Sequence, residues 1–347
     1  MKRLSYLSII WGLVCSEALE AFIFPFLEDY FKPSETEGKC HFIVELLEEH
    51  SPEIGTILEK GERISIHSSD KPAFNEQGFY LDKGYVRYVY NQLTKSVYIV
   101  NYFTKHIKIL NKDISMLSRD GIRVTRDFVK VMIEKETGAI MYHASAVMNS
   151  NNEGIIFMGD KGKGKTTLSL NLIYDYGYSE VSRDRIYLQE QEGKFTVYGW
   201  PTYYNLTYKT IKNFEHTTHL FPTDYAEIDD TTLGRIHSKL QLLPSQIGVD
   251  RRVSSSPLTY MIVLLNKNES ADLQDILALN CFTPQDTYSM NWHGLQQDKQ
   301  MSFSNCLNMF DRLKAFPNIL FLEVDEDIQT TIVKLFELIE SQKGVIT

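Results

Sequence analysis

GIIFMGDKGKGKTTLSLNL, Gly154 to Leu172, is the stretch that organises the reading of this chain. The apolar run Ile155 to Met158 stops at Gly159, passes through Asp160-Lys161-Gly162-Lys163, and meets Gly164-Lys165-Thr166. Beyond Thr167 the apolar residues recur at helical spacing. That order is strand, phosphate loop, helix. The glycines let backbone N–H groups turn inward around phosphate oxygens, and the first turn of the helix adds the positive end of its dipole. Lys161 and Lys163 raise the local positive potential. Lys165 is placed to reach β- and γ-phosphates, and the Thr166 hydroxyl suits Mg²⁺. Because a strand and a helix flank it, the G-x-x-x-x-G-K-T pattern is specific, and it implies a nucleoside triphosphate such as ATP bound with Mg²⁺.

Working outward, 347 residues can bury a sizeable core, and two domains are expected. With 43% hydrophobic and 23% charged residues, the chain has the make-up of an ordinary globular protein. A formal charge of −9 without a long basic run argues against nucleic acid as a partner, while a basic or neutral peptide remains compatible. The four cysteines, Cys15, Cys40, Cys281 and Cys306, lack metal-ligand spacing, which fits a reducing cytoplasm. No stretch approaches the roughly 20 apolar residues of a membrane span. Met1-Lys2-Arg3 and the apolar Leu4 to Val14 resemble a secretion signal, but Ser5, Tyr6 and Ser8 interrupt the run and no small-x-small site follows. A buried strand is the expectation there.

From Cys40 to Phe103, short runs rich in Tyr, Val and Ile are punctuated by Gly, Pro, Asn and Asp. Residues 1–112 therefore read as a mainly β domain, with a hairpin around Asn91 to Lys95. Residues 113–347 mix strands and helices. Arg126 to Lys135 reads as a helix, Ile140 to Met148 as a strand, Asn149 to Glu153 as a turn, Leu258 to Leu265 as a strand and Thr330 to Glu340 as a helix. The fold class is α/β, or α+β.

His143-Ala144-Ser145-Ala146-Val147, the phosphate loop, and the Ser-Arg-Asp-Arg segment at 182–185 together resemble the HPr kinase and phosphoenolpyruvate-carboxykinase-like group of P-loop kinases. The chain is similar, more closely, to the HPr-kinase-related serine kinases of lasso-peptide precursor modification. Tyr6 to Phe26, Gly199-Trp200-Pro201, Lys239-Leu240 and Phe316 to Leu338 extend the likeness over nearly the full length. The resemblance implies phosphoryl transfer from ATP to a serine hydroxyl of a peptide or protein acceptor. It also implies His143, Lys165 and Thr166 as site residues, and Thr166 and Asp184 as metal ligands. Assembly into a homo-oligomer is a further implication, since the family includes hexamers. In that family two adjacent acids follow the loop on the next strand, one deprotonating the acceptor and one holding metal. Here the pair falls on Arg183-Asp184, so the first acid is replaced by an arginine.

Phosphoryl transfer passes through a loose transition state, so positioning and charge neutralisation contribute more than proton abstraction. Asp184 can contact the metal or accept the serine proton. Arg183 either stabilises the transferred phosphoryl or is a surface residue paired with Asp184. Glu227, Asp229 and Asp230 are candidates for a replacement carboxylate, and Arg251 and Arg252 for gripping an anionic group. Two other readings keep the same loop. One is a nucleotide-binding regulatory protein without transfer activity, and the other is a small-molecule kinase.

Overall fold

The computed structural model describes residues 1–35, 38–67, 75–225, 228–229, 232–233, 239–282, 291–295 and 299–345. These form a mixed α/β protein that divides into two compact units. One comprises Met1–Ile140 with Phe282–Leu307, the other Met141–Cys281 with Asn308–Thr347.

In the first unit, β1 (Lys2–Tyr6) and β2 (Ile9–Val14) form a hairpin. The expected single strand is thus two, because Leu7 takes a left-handed turn conformation (φ 53°) and Leu7-Ser8 reverses the chain. Helix α1 (Glu17–Leu27) follows, its first turn capped by the Ser16 hydroxyl, which accepts from Leu19 N. Then come β3 (Lys32–Pro33), β4 (Phe42–Leu47), α2 (Ile54–Lys60), β5 (Glu62–His67), β6 (Glu76–Lys83), β7 (Val86–Asn91), β8 (Val97–Asn101) and β9 (His106–Leu110). Among the described residues these strands make a nine-stranded sheet ordered β3-β1-β2-β4-β9-β8-β7-β6-β5. The expected hairpin at Asn91 is the β7–β8 turn, where the Asn91 side chain accepts from Leu93 N.

Helix α3 (Ile114–Glu136) starts at Asp113, whose carboxylate accepts from Ser115 N and Met116 N. Leu117, Gly121, Val124 and Phe128 recur at three- and four-residue spacing on its buried face. Phe128 meets Phe42 of β4 at 5.6 Å, and a Cβ at Gly121 would strike Leu46. This packing keeps α3 with the β-rich unit, which extends to Ile140 and beyond residue 112.

The second unit is built on β10 (Ile140–Met148) and β11 (Gly154–Met158), an antiparallel pair in register Ala144↔Met158 to Met148↔Gly154. The turn between them is closed by Asn149, whose side chain accepts from Asn151 N and Glu153 N. Next come α4 (Lys165–Tyr176), β12 (Ser179–Ser182), β13 (Arg185–Gln191), β14 (Lys194–Gly199), β15 (Tyr204–Thr207), α5 (Tyr208–Lys212), β16 (Lys239–Leu242) and β17 (Ser255–Leu265). The chain continues through α6 (Leu273–Asn280), β18 (Cys281–Phe282), α7 (Lys299–Lys314), β19 (Ile319–Glu323) and α8 (Ile328–Val345).

β12 pairs β10, β10 pairs β11, and β11, β17 and β19 run parallel to one another. Strand β11, antiparallel to β10 and parallel to β17, is buried along its whole length, as a central strand covered on both faces must be. Leu168 and Leu172 of α4 share one core with Ile332, Leu335 and Ile339 of α8 and with Ile155, Phe157 and Ile262 of the sheet. Among the described residues, no helix is long and apolar enough to cross a membrane. The cysteines carry free thiols.

Candidate functional site

The loop leaves β11 at Gly159, whose φ of 147° and close approach to the Leu264 carbonyl leave no room for a side chain. Gly162 and Gly164 also have positive φ, and Gly164 in the left-handed region is the residue before α4. A helix beginning on glycine leaves its first N–H groups without a side-chain cap, so they face the loop's hollow.

Lys165 is buried at the start of α4, and its ammonium donates to the carbonyls of Gly159 (2.6 Å) and Asp160 (3.1 Å). Burial, only partly opposed by Asp184 and Asp160, pulls its pKa down from 10.5 to about 8, with Lys239 pushing the same way. The helix start is bolted to β10 through serines. Ser145 donates to the Lys165 carbonyl (3.3 Å), and Ser169 donates to Ser145 (2.8 Å). Lys163 is ion-paired with Glu269, which also accepts from Asn266 N at 2.7 Å. Its charge is therefore already matched within the protein.

Sheet order brings the remaining residues to the loop. Because β10 lies beside β11 and β12 beside β10, His143 and the 183–184 turn fall on one side of the phosphate loop. Ala144 N donates to the Asp184 carbonyl at 3.1 Å, and the His143 ring lies 3.4 Å from the Asp184 carboxylate. Arg185 stands 3.7 Å from the other oxygen. Burial works against ionisation of Asp184, but the His143 hydrogen bond and the charges of Arg185, His143 and Lys165 prevail and hold its pKa at about 2. It is a carboxylate at any working pH.

His143, Lys161 to Thr167, Arg183 and Asp184 all line one cavity of about 750 Å³. Gly159 and Asp160 turn the chain without lining it. The cavity also receives Tyr203 to Thr207, Lys209 and Asn266, which carry no local sequence signal, and Lys239 and Asp325 to Asp327, which lie in segments that extend the family likeness but were assigned no role. The β15–β16 pair and the ends of β17 and β19 bring them there, which no local motif records. For Mg²⁺ the fit is chemical. Thr166 offers a hydroxyl and Asp184 a permanent carboxylate, hard oxygen donors of the kind that ion takes alongside phosphate oxygens. Among the described residues no cluster of three or more His, Cys, Asp or Glu is disposed to hold a metal alone, so phosphate oxygens would have to complete the shell.

Arg183 is not a surface residue. It is 5% exposed, its Nε lies 3.0 Å from the Glu180 carboxylate, itself buried, and its guanidinium sits 4.9 Å over the Tyr204 ring. Arg251 and Arg252 serve as scaffold. Glu180 N donates to the Arg251 carbonyl, Val253 N to that of Glu180, and the Arg251 side chain donates to the Gly177 carbonyl. Asp229 accepts from Thr232 N and does not line the cavity, and Glu227 and Asp230 lie outside the described residues.

No protein-family model and no curated protein matches the chain. Among solved structures, it is similar to the Hpr(Ser) kinase/phosphatase from Coxiella burnetii, with 18% identity over 50% of this chain and 97% of that one, at a TM-score of 0.26.

Proposed function

We propose that this protein transfers the γ-phosphoryl group of ATP to a serine hydroxyl of a peptide or protein. The observation that carries the reading is one cavity holding a glycine-turned loop, a buried lysine at a helix start, and a carboxylate held ionised beside a histidine. The triphosphate would lie along the loop amides, with Lys161 and Lys165 and the α4 dipole neutralising its charge. Thr166 and Asp184 would hold Mg²⁺, which supplies further neutralisation of the β- and γ-phosphates. Asp184 accepts the serine proton as the hydroxyl oxygen bonds to the γ-phosphorus. The bond to the bridging oxygen breaks, and ADP leaves with that electron pair. His143, against the same carboxylate, fixes its orientation. One carboxylate here serves where the resembling kinases have two, which a loose transition state tolerates.

Arg183 favours a second reading, a nucleotide-binding regulatory protein without transfer activity. At the place of an acid it forms a buried pair with Glu180. The test is incubation with γ-labelled ATP, Mg²⁺ and a panel of serine peptides. Label in a peptide supports the kinase. Nucleotide binding with no labelled product across the panel supports the regulator.

A further inference from the structure

The proposed transfer depends on one carboxylate being held in place, and the residue beside it bears on how that is done. Arg183 and Asp184 are the two residues between β12, which ends at Ser182, and β13, which begins at Arg185. The Ser182 hydroxyl donates to the Arg185 carbonyl and closes the turn. In so short a connection, whatever fixes the Arg183 side chain limits where the next residue can go.

The two turn residues are tied to different elements. Asp184 is held against β10, where Ala144 N donates to its carbonyl and His143 lies 3.4 Å from its carboxylate. Arg183 is held by β12 and β15. Its Nε lies 3.0 Å from the Glu180 carboxylate, and its guanidinium sits 4.9 Å over the Tyr204 ring. Glu180 and Tyr204 are each 1% exposed. Both are anchored on their own account: Glu180 N donates to the Arg251 carbonyl and Val253 N to that of Glu180, while Tyr204 pairs with Leu242 of β16. Arg183, Asp184 and Tyr203 to Thr207 all line the cavity, so the guanidinium joins the β15 wall to the turn that carries Asp184.

This work needs an arginine. A planar guanidinium pairs with a carboxylate through its edge while its face lies on a ring, and the point charge of a lysine does not combine the two. An acid in its place would set a second negative charge beside buried Glu180.

Resting on the transfer reading, we propose that Arg183 is a positioning residue for that reaction. Clamped between Glu180 and Tyr204, it holds Asp184 at a fixed spacing from the β15 wall, so that metal and acceptor hydroxyl meet the carboxylate in one geometry.

The test compares the full-length wild type with Arg183→Lys, Tyr204→Leu and the double variant. Calorimetry with a non-hydrolysable ATP analogue, without and with Mg²⁺, gives the gain in affinity due to the metal. Arg183→Lys should leave affinity without Mg²⁺ within about twofold and reduce the Mg²⁺ gain about tenfold, the scale on which residues that orient a metal ligand act. With a serine peptide and ATP, kcat should fall about 10- to 100-fold while the peptide KM changes by less than about twofold. Tyr204→Leu, which keeps the ion pair, should also reduce the Mg²⁺ gain, and the double variant should be no worse than the stronger single one, because the two side chains act as a unit. A wild-type Mg²⁺ gain in Arg183→Lys overturns the proposal. So does equal loss of affinity with and without Mg²⁺, which marks general damage, and so do additive effects in the double variant. If Arg183→Lys does not fold, Tyr204→Leu decides: a wild-type gain there overturns the proposal. A wild type whose affinity gains nothing from Mg²⁺ overturns it as well. Absence of transfer to any peptide counts against the kinase reading alone, because the Mg²⁺ gain is read without turnover.

Discussion

Replacing Lys165 by methionine should make the nucleotide-free protein more stable while removing its ability to hold ATP. The Lys165 ammonium is buried, and burial pulls its pKa from 10.5 to about 8, which corresponds to about 3 kcal/mol of native-state destabilisation when the group is charged. Its hydrogen bonds to the Gly159 and Asp160 carbonyls return about 1 kcal/mol each. Methionine keeps the length and apolar stem of lysine without the charge. A net gain of about 1–2 kcal/mol at pH 7 is expected, or about 2–8 °C in the melting transition that nucleotide shifts. The sign with pH follows from linkage. The folded pKa lies below the unfolded one, so between pH 8 and 10.5 the unfolded chain binds more protons, and wild-type stability rises through that window. The variant's advantage is therefore full below pH 8 and shrinks towards pH 10.5. Thermal melts of both proteins at pH 7 and pH 9.5, without nucleotide, read this directly. A Lys165→Met protein less stable than wild type at pH 7, or an advantage that grows with pH, refutes the reasoning.

Asp184→Asn should abolish phosphoryl transfer at every pH. Because the Asp184 pKa is held at about 2, the wild-type pH–rate profile should show no loss between pH 5 and 4 attributable to its protonation, as measured by initial rates with γ-labelled ATP. Arg183→Ala removes an ion-pair partner of the buried Glu180 carboxylate and is expected to cost about 3–5 kcal/mol, with Glu180→Gln in the same chain recovering part of it in a denaturant titration. A cost below about 0.5 kcal/mol, typical of surface substitutions, would show that the pair is not buried in solution. Gly159→Ala forces a residue with a side chain to φ 147° against the Leu264 carbonyl; about 1–3 kcal/mol of destabilisation and weakened nucleotide binding are expected from melts and calorimetry.

The central strand, loop and helix were legible because their signal is local. Four apolar residues, four glycines and a helical stripe lie within 19 consecutive positions, and the observed bounds of β11 and α4 follow them. The same holds for β10, where an apolar run ends at an Asn turn. Helix α3 was underestimated. Its N-terminal half carries Ser115, Ser118, Arg119 and Asp120, and only packing on the sheet, with Gly121 against Leu46 and Phe128 against Phe42, makes it a core element. The Leu4 to Val14 run hid a reversal at Leu7-Ser8, since an apolar run does not record a turn that tertiary pairing imposes. For Arg183, sequence left the environment open. Glu180 lies only three residues away, but the Tyr204 ring under the guanidinium comes from β15, which no local pattern encodes. Lys209 and Lys239 likewise reach the cavity only through the pairing of β15 with β16, strands separated by more than thirty residues.

The most direct test of the account is calorimetric titration of the wild-type protein and of Lys165→Met with ATP in the presence of Mg²⁺. The account predicts saturable binding by the wild type near one nucleotide per chain, and loss of that binding in the variant despite its higher melting temperature. Wild-type heats indistinguishable from dilution, or equal affinity in the two proteins, would contradict the placement of the triphosphate on the 159–167 loop and the function built on it.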